Sequence, residues 1–320
     1  RDLVRSRGLG DVYKRQGGIW NLTAICPTTS KSCSLTLKRK RQRYKRLEQR
    51  KETMDFKNVI IMSDLDGTLL DDKKEISPRD MESINEFCDK GGMFTIATGR
   101  GYSMARPVAQ KLKLRIPAVI FNGSAVYDFD KDEFLWQSEV TQKARDYIKL
   151  VMDRFPDVGI EVLHKHTVYV PALNDVERAH MALENVHGDV CSLDDIPHEG
   201  WLKVLFAYPE DKMPELARFI DEHCAEGTNR VLSAPFFYEL LPEGVSKAYG
   251  YKQLLRVTGS EDRFTVAAGD YPNDAEMVRS ADLGVAVSNA HDEVKSSADV
   301  IIGSNNEDPM TQIIDIIRKK

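Results

Sequence analysis

Short apolar segments alternate with amphipathic segments along most of the chain after its first 53 residues. Residues 59–62 form an apolar run rich in β-branched side chains, which predicts a buried strand. Ser77 and Pro78 then supply an N-cap and a first helical residue, and the following apolar positions recur at helical spacing until a Gly-Gly pair. This order of strand, helix and strand predicts a parallel sheet with crossover helices.

The alternating pattern continues and is interrupted once. Residues 94–97 and 118–121 predict two more strands, separated by a helix near Tyr102–Leu112. From about residue 141, helices alternate with pairs of short strands, which predicts an α+β module, and near Ser246 the first pattern returns. We therefore predict an α/β sheet domain interrupted by an inserted domain. The predicted sheet domain comprises residues 54–139 and 238–320, and the predicted insertion comprises residues 140–237.

The first 53 residues differ from the rest in charge and pattern. They carry 15 Lys and Arg against 4 Asp and Glu, without a sustained hydrophobic period. Residues 4–16 resemble a translated sequencing adaptor, and Met54 opens a segment that reads as a natural start. A basic tail for nucleic acid or targeting is the alternative. We predict that residues 1–53 are a non-native or disordered extension.

The remaining residues are acidic, with 30 Lys and Arg against 46 Asp and Glu. Such a surface repels nucleic acid and anionic membranes, so neither is an expected partner. An anionic substrate would need a local cation or metal. The five cysteines are scattered without a C-x-x-C pair, which disfavours a disulfide framework and favours a reducing cytoplasm. No apolar run reaches the length of a transmembrane helix.

Polar side chains follow the predicted strands where those strands end. Asp64 and Asp66 come directly after the first strand, roughly 6.6 Å apart on one side of an extended chain. Like charges so close repel unless a cation or proton intervenes. Thr98 follows the second strand, Asp270 follows a later strand at residues 264–268, and Lys247 lies at a helix start. Because open α/β sheets bind ligands at the carboxyl ends of their strands, we expect one site.

These side chains form a set suited to phosphoryl transfer. Mg²⁺ prefers carboxylate, carbonyl and water oxygens, which Asp64, the Asp66 carbonyl and Asp270 supply. Lys247 adds a positive charge for phosphate. Asp64 would attack phosphorus to form an aspartyl-phosphate, and Asp66 would protonate the leaving oxygen and later take a proton from water. For phosphate binding, the predicted residues are Thr98, Gly99, Lys247 and Asn273. For metal binding, the predicted residues are Asp64, Asp66 and Asp270, with Asp274 beside these ligands.

The motifs resemble those of a known family. DLDGT at 64–68, TGR at 98–100, GVSK at 244–247 and GDYPND at 269–274 look like the four motifs of haloacid dehalogenase (HAD) superfamily phosphatases. The insertion and the GVAVSNA stretch at 284–290 are similar to the Cof-type branch, subfamily IIB. The resemblance covers residues 54–320. It implies a Rossmann-like core with a C2-type cap, a Mg²⁺ cofactor, and hydrolysis of small phosphomonoesters such as sugar phosphates or phosphorylated cofactors.

Two other functions remain open from the sequence. A phosphosugar mutase would need a cap that binds a second phosphate, usually through several arginines, and residues 140–237 contain Arg145, Arg154, Arg178, Arg218 and Arg230. A non-enzymatic phospho-acceptor module also places Asp, Thr and Lys at strand ends, although Asp66 argues against a long-lived phosphoenzyme. A dehydrogenase is disfavoured because no G-x-G-x-x-G opens the first helix.

Overall fold

The computed structural model describes residues 55–184 and 186–318, so the predicted extension 1–53 lies outside the described residues. The first elements are β1 (Val59–Ser63), α1 (Pro78–Asp89), β2 (Met93–Ile96), α2 (Tyr102–Leu112), β3 (Ala118–Ile120), β4 (Ala125–Asp128) and β5 (Glu133–Gln137). Then come α3 (Lys143–Arg154), β6 (Gly159–His164), β7 (Thr167–Ala172), α4 (Asp175–Leu183), β8 (Gly188–Val190), β9 (Trp201–Ala207), α5 (Met213–His223), β10 (Thr228–Ala234) and β11 (Phe237–Pro242). The last are α6 (Lys247–Val257), β12 (Phe264–Gly269), α7 (Ala275–Ser280), β13 (Leu283–Ala286), α8 (Asp292–Ser297), β14 (Val300–Ile301) and α9 (Pro309–Arg318).

A parallel sheet forms the core, with the strand order β14, β13, β12, β1, β2 among the described residues. β1 pairs with β12 on one side and β2 on the other, and all its residues are buried. Burial on both faces explains why residues 59–62 are apolar without alternation. Parallel pairing brings the carboxyl ends of the strands to one edge. The predicted α/β fold class with a parallel sheet is confirmed.

The sheet changes direction after β3. One parallel bridge between Ala97 and Val119 joins this region to the core sheet, after which β3, β4 and β5 pair antiparallel. Phe121 and Asn122 have left-handed φ angles of 53° and 54°, which reverse the chain. The sequence pattern indicated that β3 ends here but did not predict the two strands that follow.

Helix α1 begins as the sequence predicts. The Ser77 hydroxyl accepts a hydrogen bond of 3.0 Å from the amide of Asp80. The buried Asp80 carboxylate in turn accepts from the amide and hydroxyl of Thr311 in α9, at 2.7 and 2.9 Å. A buried polar network therefore joins α1 to α9. Within residues 55–184 and 186–318, every helix is too short or too polar to cross a bilayer.

A second, mixed sheet lies in the insertion, with the strand order β10, β11, β9, β6, β7, β8. Helices α3 and α5 cover one face, where Val162, Val204 and Leu240 belong to their apolar cluster. Because side chains alternate along a strand, the neighbouring positions Glu161 and Glu239 lie on the opposite face. The sequence pattern predicted these strands except β8.

The second boundary of the insertion needs adjustment. β11 pairs with β9 and β10 of the second sheet and extends to Pro242. The sequence-based division assigned residues 238–320 to the core. We propose that the insertion, called the cap below, ends at residue 242, because a strand paired on both sides belongs to its sheet.

Candidate active site

Asp64 lies at the carboxyl end of β1 and is 6% exposed. Its amide donates a 3.0 Å hydrogen bond to the carbonyl of Ala268, which fixes this residue beside the end of β12. Leu65 is fully buried in the core, whereas Asp64 and Asp66 both line one cavity. The i, i+2 spacing therefore places both acids at the same edge, as the sequence predicts.

Three acids from two strand ends converge at this edge. Asp64, Asp270 and Asp274, here called the acid cluster, each offer one carboxylate oxygen within 4.8 Å of the others. Burial, followed by the charge of Asp274, raises the pKa of Asp64 well above its usual value. The same two causes raise the pKa of Asp270 to about 6. The cluster therefore concentrates negative charge that requires a cation.

Lys247 supplies one cation from the first residue of α6. Its Nζ donates to Asp64 at 2.8 Å and to Asp274 at 2.7 Å, and the side chain is 2% exposed. Burial alone lowers the pKa of this amine, but Asp274 and Asp64 outweigh burial and raise the pKa. Ser246 caps the helix by accepting from the amide of Tyr249 at 3.2 Å, which fixes the position of Lys247.

Gly67 allows Asp270 to approach the loop after β1. A Cβ at Gly67 would lie 2.5 Å from Oδ2 of Asp270, and the φ angle of 74° also favours glycine. The other oxygen of Asp270, Oδ1, accepts from the Thr68 hydroxyl at 2.7 Å. The loop thus holds one carboxylate oxygen by a hydrogen bond and leaves room beside the other. Three carboxylates in such a setting suit a hard divalent cation such as Mg²⁺.

The Asp66 carboxylate faces a different set of partners. Arg100 donates to it from Nε and Nη2, both at 2.8 Å, and Lys74 donates from Nζ at 2.6 Å. Burial raises its pKa, but hydrogen bonds and charge from Arg100 and Lys74 outweigh burial and lower the pKa to about 2. The Asp66 carboxylate lies outside the acid cluster, so the predicted metal contact concerns only its backbone carbonyl.

The predicted phosphate-binding residues surround the same cavity. Thr98 is buried, and its hydroxyl oxygen accepts a 3.1 Å hydrogen bond from the amide of Arg100. The carbonyl of Gly99 accepts from Lys203 of the cap at 2.9 Å. Asn273 donates from Nδ2 to Oδ1 of Asn122 at 3.0 Å. Its own Oδ1 is buried without a partner among the described residues.

The cavity has a volume of about 800 Å³ and lies between the core and the cap. Its lining brings together seven of the eight predicted residues, namely Asp64, Asp66, Thr98, Gly99, Lys247, Asp270 and Asn273. Asp274 is fully buried beneath them.

The sequence predictions gave no role to several residues in the cavity lining, including Lys74, Arg100, Glu161, His180, Lys203 and Glu239. Arg100 follows Thr98 and Gly99 directly, which is a signal in the sequence. A second signal in the sequence is the alternation of polar and apolar positions in β6, β9 and β11.

Comparison with known proteins gives consistent matches. Residues 61–314 match the family model of haloacid dehalogenase-like hydrolases. A 5-amino-6-(5-phospho-D-ribitylamino)uracil phosphatase from Bacillus subtilis is 31% identical over 266 residues, covering 82% of this chain and 96% of that protein. A pyridoxal phosphate phosphatase from Escherichia coli is 28% identical over 265 residues, covering 80% and 97%. The solved structure of a HAD subclass IIB sugar phosphatase has a TM-score of 0.70 at 21% identity, covering 80% of this chain and 98% of that chain, which shows a common fold.

These relatives bear on three of the predictions. The predicted Cof-type family and its core-and-cap fold are confirmed. The predicted enzyme class, a phosphoric monoester hydrolase, is confirmed as well. The roles of individual site residues stay predictions. Because the family match extends over residues 61–314, well over half of the chain, the chain belongs to the haloacid dehalogenase-like hydrolases.

Proposed function

We propose that this protein hydrolyses small phosphomonoesters with Mg²⁺ as cofactor, through an aspartyl-phosphate on Asp64. The observation that carries the proposal is the position of the Asp64 carboxylate, which lies beside the Lys247 ammonium and within the acid cluster in one cavity. A nucleophile for phosphorus needs positive charge around it, because the attacked group is itself anionic. Asp64 has that charge at 2.8 Å from Lys247.

The residues present suit a bound Mg²⁺ ion. Asp64 and Asp270 would hold it with the carbonyl of Asp66, and Asp274 would stand next to them. When bound, the ion neutralises charge on the phosphoryl group and on the attacking carboxylate. The acid cluster has three carboxylates against the single ammonium of Lys247, so it has capacity for a further cation.

The reaction then needs two displacements at phosphorus. An Asp64 oxygen forms a bond to phosphorus while the bond to the leaving oxygen breaks, and that oxygen takes a proton from Asp66. Water next attacks the aspartyl-phosphate, gives its proton to Asp66, and the bond between phosphorus and Asp64 breaks. The Thr98 hydroxyl and the Gly99 amide would donate hydrogen bonds to the phosphoryl oxygens. Lys247 would hold Asp64 in its charged form.

The low pKa of Asp66 suits one of its two proposed proton-transfer roles better than the other. A carboxyl with a pKa of about 2 is ionised at neutral pH, which suits the acceptance of a proton from water. Donation to the leaving oxygen requires that Arg100 and Lys74 release this carboxylate, because they cause its low pKa. An incoming phosphate is an anion that competes for both cations.

Water is the proposed acceptor, in preference to a second sugar position. A mutase needs cap arginines near the cavity, but Arg145 donates to the Ile196 carbonyl, Arg154 pairs with Glu215, and Arg230 pairs with Asp221. Among the described residues that line the cavity, none is a cap arginine. Hydrolysis of small phosphorylated metabolites also agrees with the names of the two phosphatase relatives. The predicted cytoplasmic location stays a proposal.

A panel of phosphate esters, assayed with Mg²⁺ and with a chelator, tests the proposal. We expect release of inorganic phosphate only with the metal. Asp64→Asn should lower turnover by at least roughly 10³-fold, since the covalent route is lost. Asp146→Asn is the matched control, because Asp146 is an exposed acid on α3. Turnover by Asp64→Asn close to that of the control would refute the nucleophile.

A further inference from the structure

The face of the cap sheet that borders the cavity carries buried charges. Glu161 in β6, Lys203 in β9 and Glu239 in β11 form what we call the cap charge row, and each is at most 3% exposed. All three line the same cavity as Asp64. Burial of a charge is costly unless a partner compensates it, so each member requires an explanation.

Hydrogen-bond partners within the protein compensate the burial of two members of the row, Lys203 and Glu239. Lys203 donates to Glu239 and to the Gly99 carbonyl, both at 2.9 Å. Glu239 also accepts from the Ser233 hydroxyl at 2.6 Å and from the side-chain amide of Asn122. These groups are mutually satisfied, and their arrangement fixes the cap sheet against the core.

Glu161 lacks such compensation. Among the described residues, no nitrogen donates a hydrogen bond to its Oε1, and the residue is only 1% exposed. The Nε2 atom of His180 stands 3.8 Å away, beyond hydrogen-bond distance. Burial lowers the pKa of His180, so this imidazole is neutral near pH 7 and provides no positive charge.

A second carboxyl, that of Glu177, interacts with Glu161. Glu177 in α4 is fully buried. Burial, followed by hydrogen bonding and repulsion from Glu161, raises the pKa of Glu177 to about 10. Glu177 therefore holds the proton of the pair. Glu161 lines the cavity, and a proton shared with Glu177 uses only part of the acceptor capacity of its two carboxylate oxygens.

We propose that Glu161 binds the leaving group of the substrate by accepting a hydrogen bond from a hydroxyl or amino group. The inference rests on the proposed function and adds a substrate class to it. The substrate is a phosphate monoester whose leaving group carries such donors and no second phosphate. Two carboxylates and one ammonium in the cap charge row make this end of the cavity negative. A second phosphate there would meet repulsion.

Paired substrates and one substitution test this specificity. Phenyl phosphate offers no donor in its leaving group, whereas D-ribitol 5-phosphate, glucose 6-phosphate and pyridoxal phosphate do. For the donor-bearing ester that the wild type hydrolyses fastest, Glu161→Gln should lower kcat/KM by roughly 10-fold or more. Its kcat/KM for phenyl phosphate should stay within about 2-fold, which also shows that the variant folds. Glu222→Gln is the matched control, because Glu222 is exposed in the same cap.

A bisphosphate provides the second comparison. The wild type should hydrolyse glucose 1,6-bisphosphate at least roughly 10-fold less efficiently than glucose 6-phosphate, and Glu161→Gln should narrow this difference. Glu161→Asp, which keeps the charge, should retain the preference for the monophosphate.

Three results would overturn the inference or its basis. An equal loss on phenyl phosphate and on the donor-bearing ester would make Glu161 merely structural. Equal efficiency with the bisphosphate would contradict the negative subsite. Failure of the wild type to hydrolyse any ester, phenyl phosphate included, would instead overturn the proposed function, and the inference with it.

Discussion

Replacement of Lys247 by methionine removes the buried cation of the site while it keeps a long side chain. In the native protein the Nζ of Lys247 pairs with Asp64 and Asp274 at 2.8 and 2.7 Å. The substitution leaves three carboxylates whose oxygens lie within 4.8 Å of one another, without an ammonium group between them. Loss of one partner from a buried ion pair destabilises a protein by about 3–5 kcal/mol.

The expected fall in melting temperature follows from this loss of free energy and from the size of the protein, and it depends on pH. At roughly 2–4 °C per kcal/mol, the melting temperature of Lys247→Met should fall by about 6–20 °C near pH 7. Burial and Asp274 already raise the pKa of Asp64, and loss of the lysine raises it further. A raised carboxyl pKa means that the folded variant binds protons more readily than its unfolded form. Lys247 also lowers the pKa of Asp270, which is about 6, so the deficit of the variant should shrink as the pH falls through about 6.

Thermal unfolding with a chelator and with Mg²⁺ measures this effect. Magnesium at about 100 times its dissociation constant stabilises the folded state by about 2.7 kcal/mol, so it should recover part of the loss. Lys252→Met is the control, because Lys252 is exposed on the same helix, and it should change stability by no more than about 0.5 kcal/mol. A melting temperature for Lys247→Met equal to that of Lys252→Met, measured without metal, would refute the reasoning.

Two further predictions concern the loop after β1. Arg100→Met should raise the pKa of Asp66, which Arg100 and Lys74 hold at about 2. A depressed carboxyl pKa stabilises the folded state above about pH 4, and this effect is lost as the pH falls toward 2. In urea unfolding, the difference in stability between the wild type and Arg100→Met should therefore shrink in that interval. A difference that stays constant would argue against the ion pair. Gly67→Ala should lower kcat by roughly 10-fold or more, because its Cβ would lie 2.5 Å from Oδ2 of Asp270; unchanged kcat would show that this close approach is dispensable.

The sequence was sufficient for residues whose position follows from local pattern and parallel pairing. Asp64 and Asp270 each follow a strand, and Lys247 opens a helix behind an N-cap serine. Once β1 and β12 pair in parallel, their carboxyl ends must lie at one edge, and the acids converge there. Even the i, i+2 spacing of Asp64 and Asp66 correctly places both in one cavity.

The sequence was insufficient where the partner comes from a distant segment. Nothing local in the chain indicates that Arg100 pairs with Asp66 and also lies 3.1 Å from Glu184 of the cap. The pairing of Glu161 with Glu177 likewise depends on how α4 packs on the cap sheet. Such contacts follow from tertiary packing, which a single sequence does not encode in its periodicity.

Two cationic side chains, Arg100 and Lys203, each contact both the core and the cap. This arrangement couples the proposed proton transfer to the position of the cap. Arg100 binds Asp66 and lies 3.1 Å from Glu184, while Lys203 donates to the Gly99 carbonyl and to Glu239. Asp66 can donate a proton only after Arg100 releases the Asp66 carboxylate. A competing anion can displace Arg100, because it offers the guanidinium another partner. A phosphate ester is such an anion. The same ester that frees the acid thus weakens one core–cap connection, so proton donation and cap position should respond together to substrate.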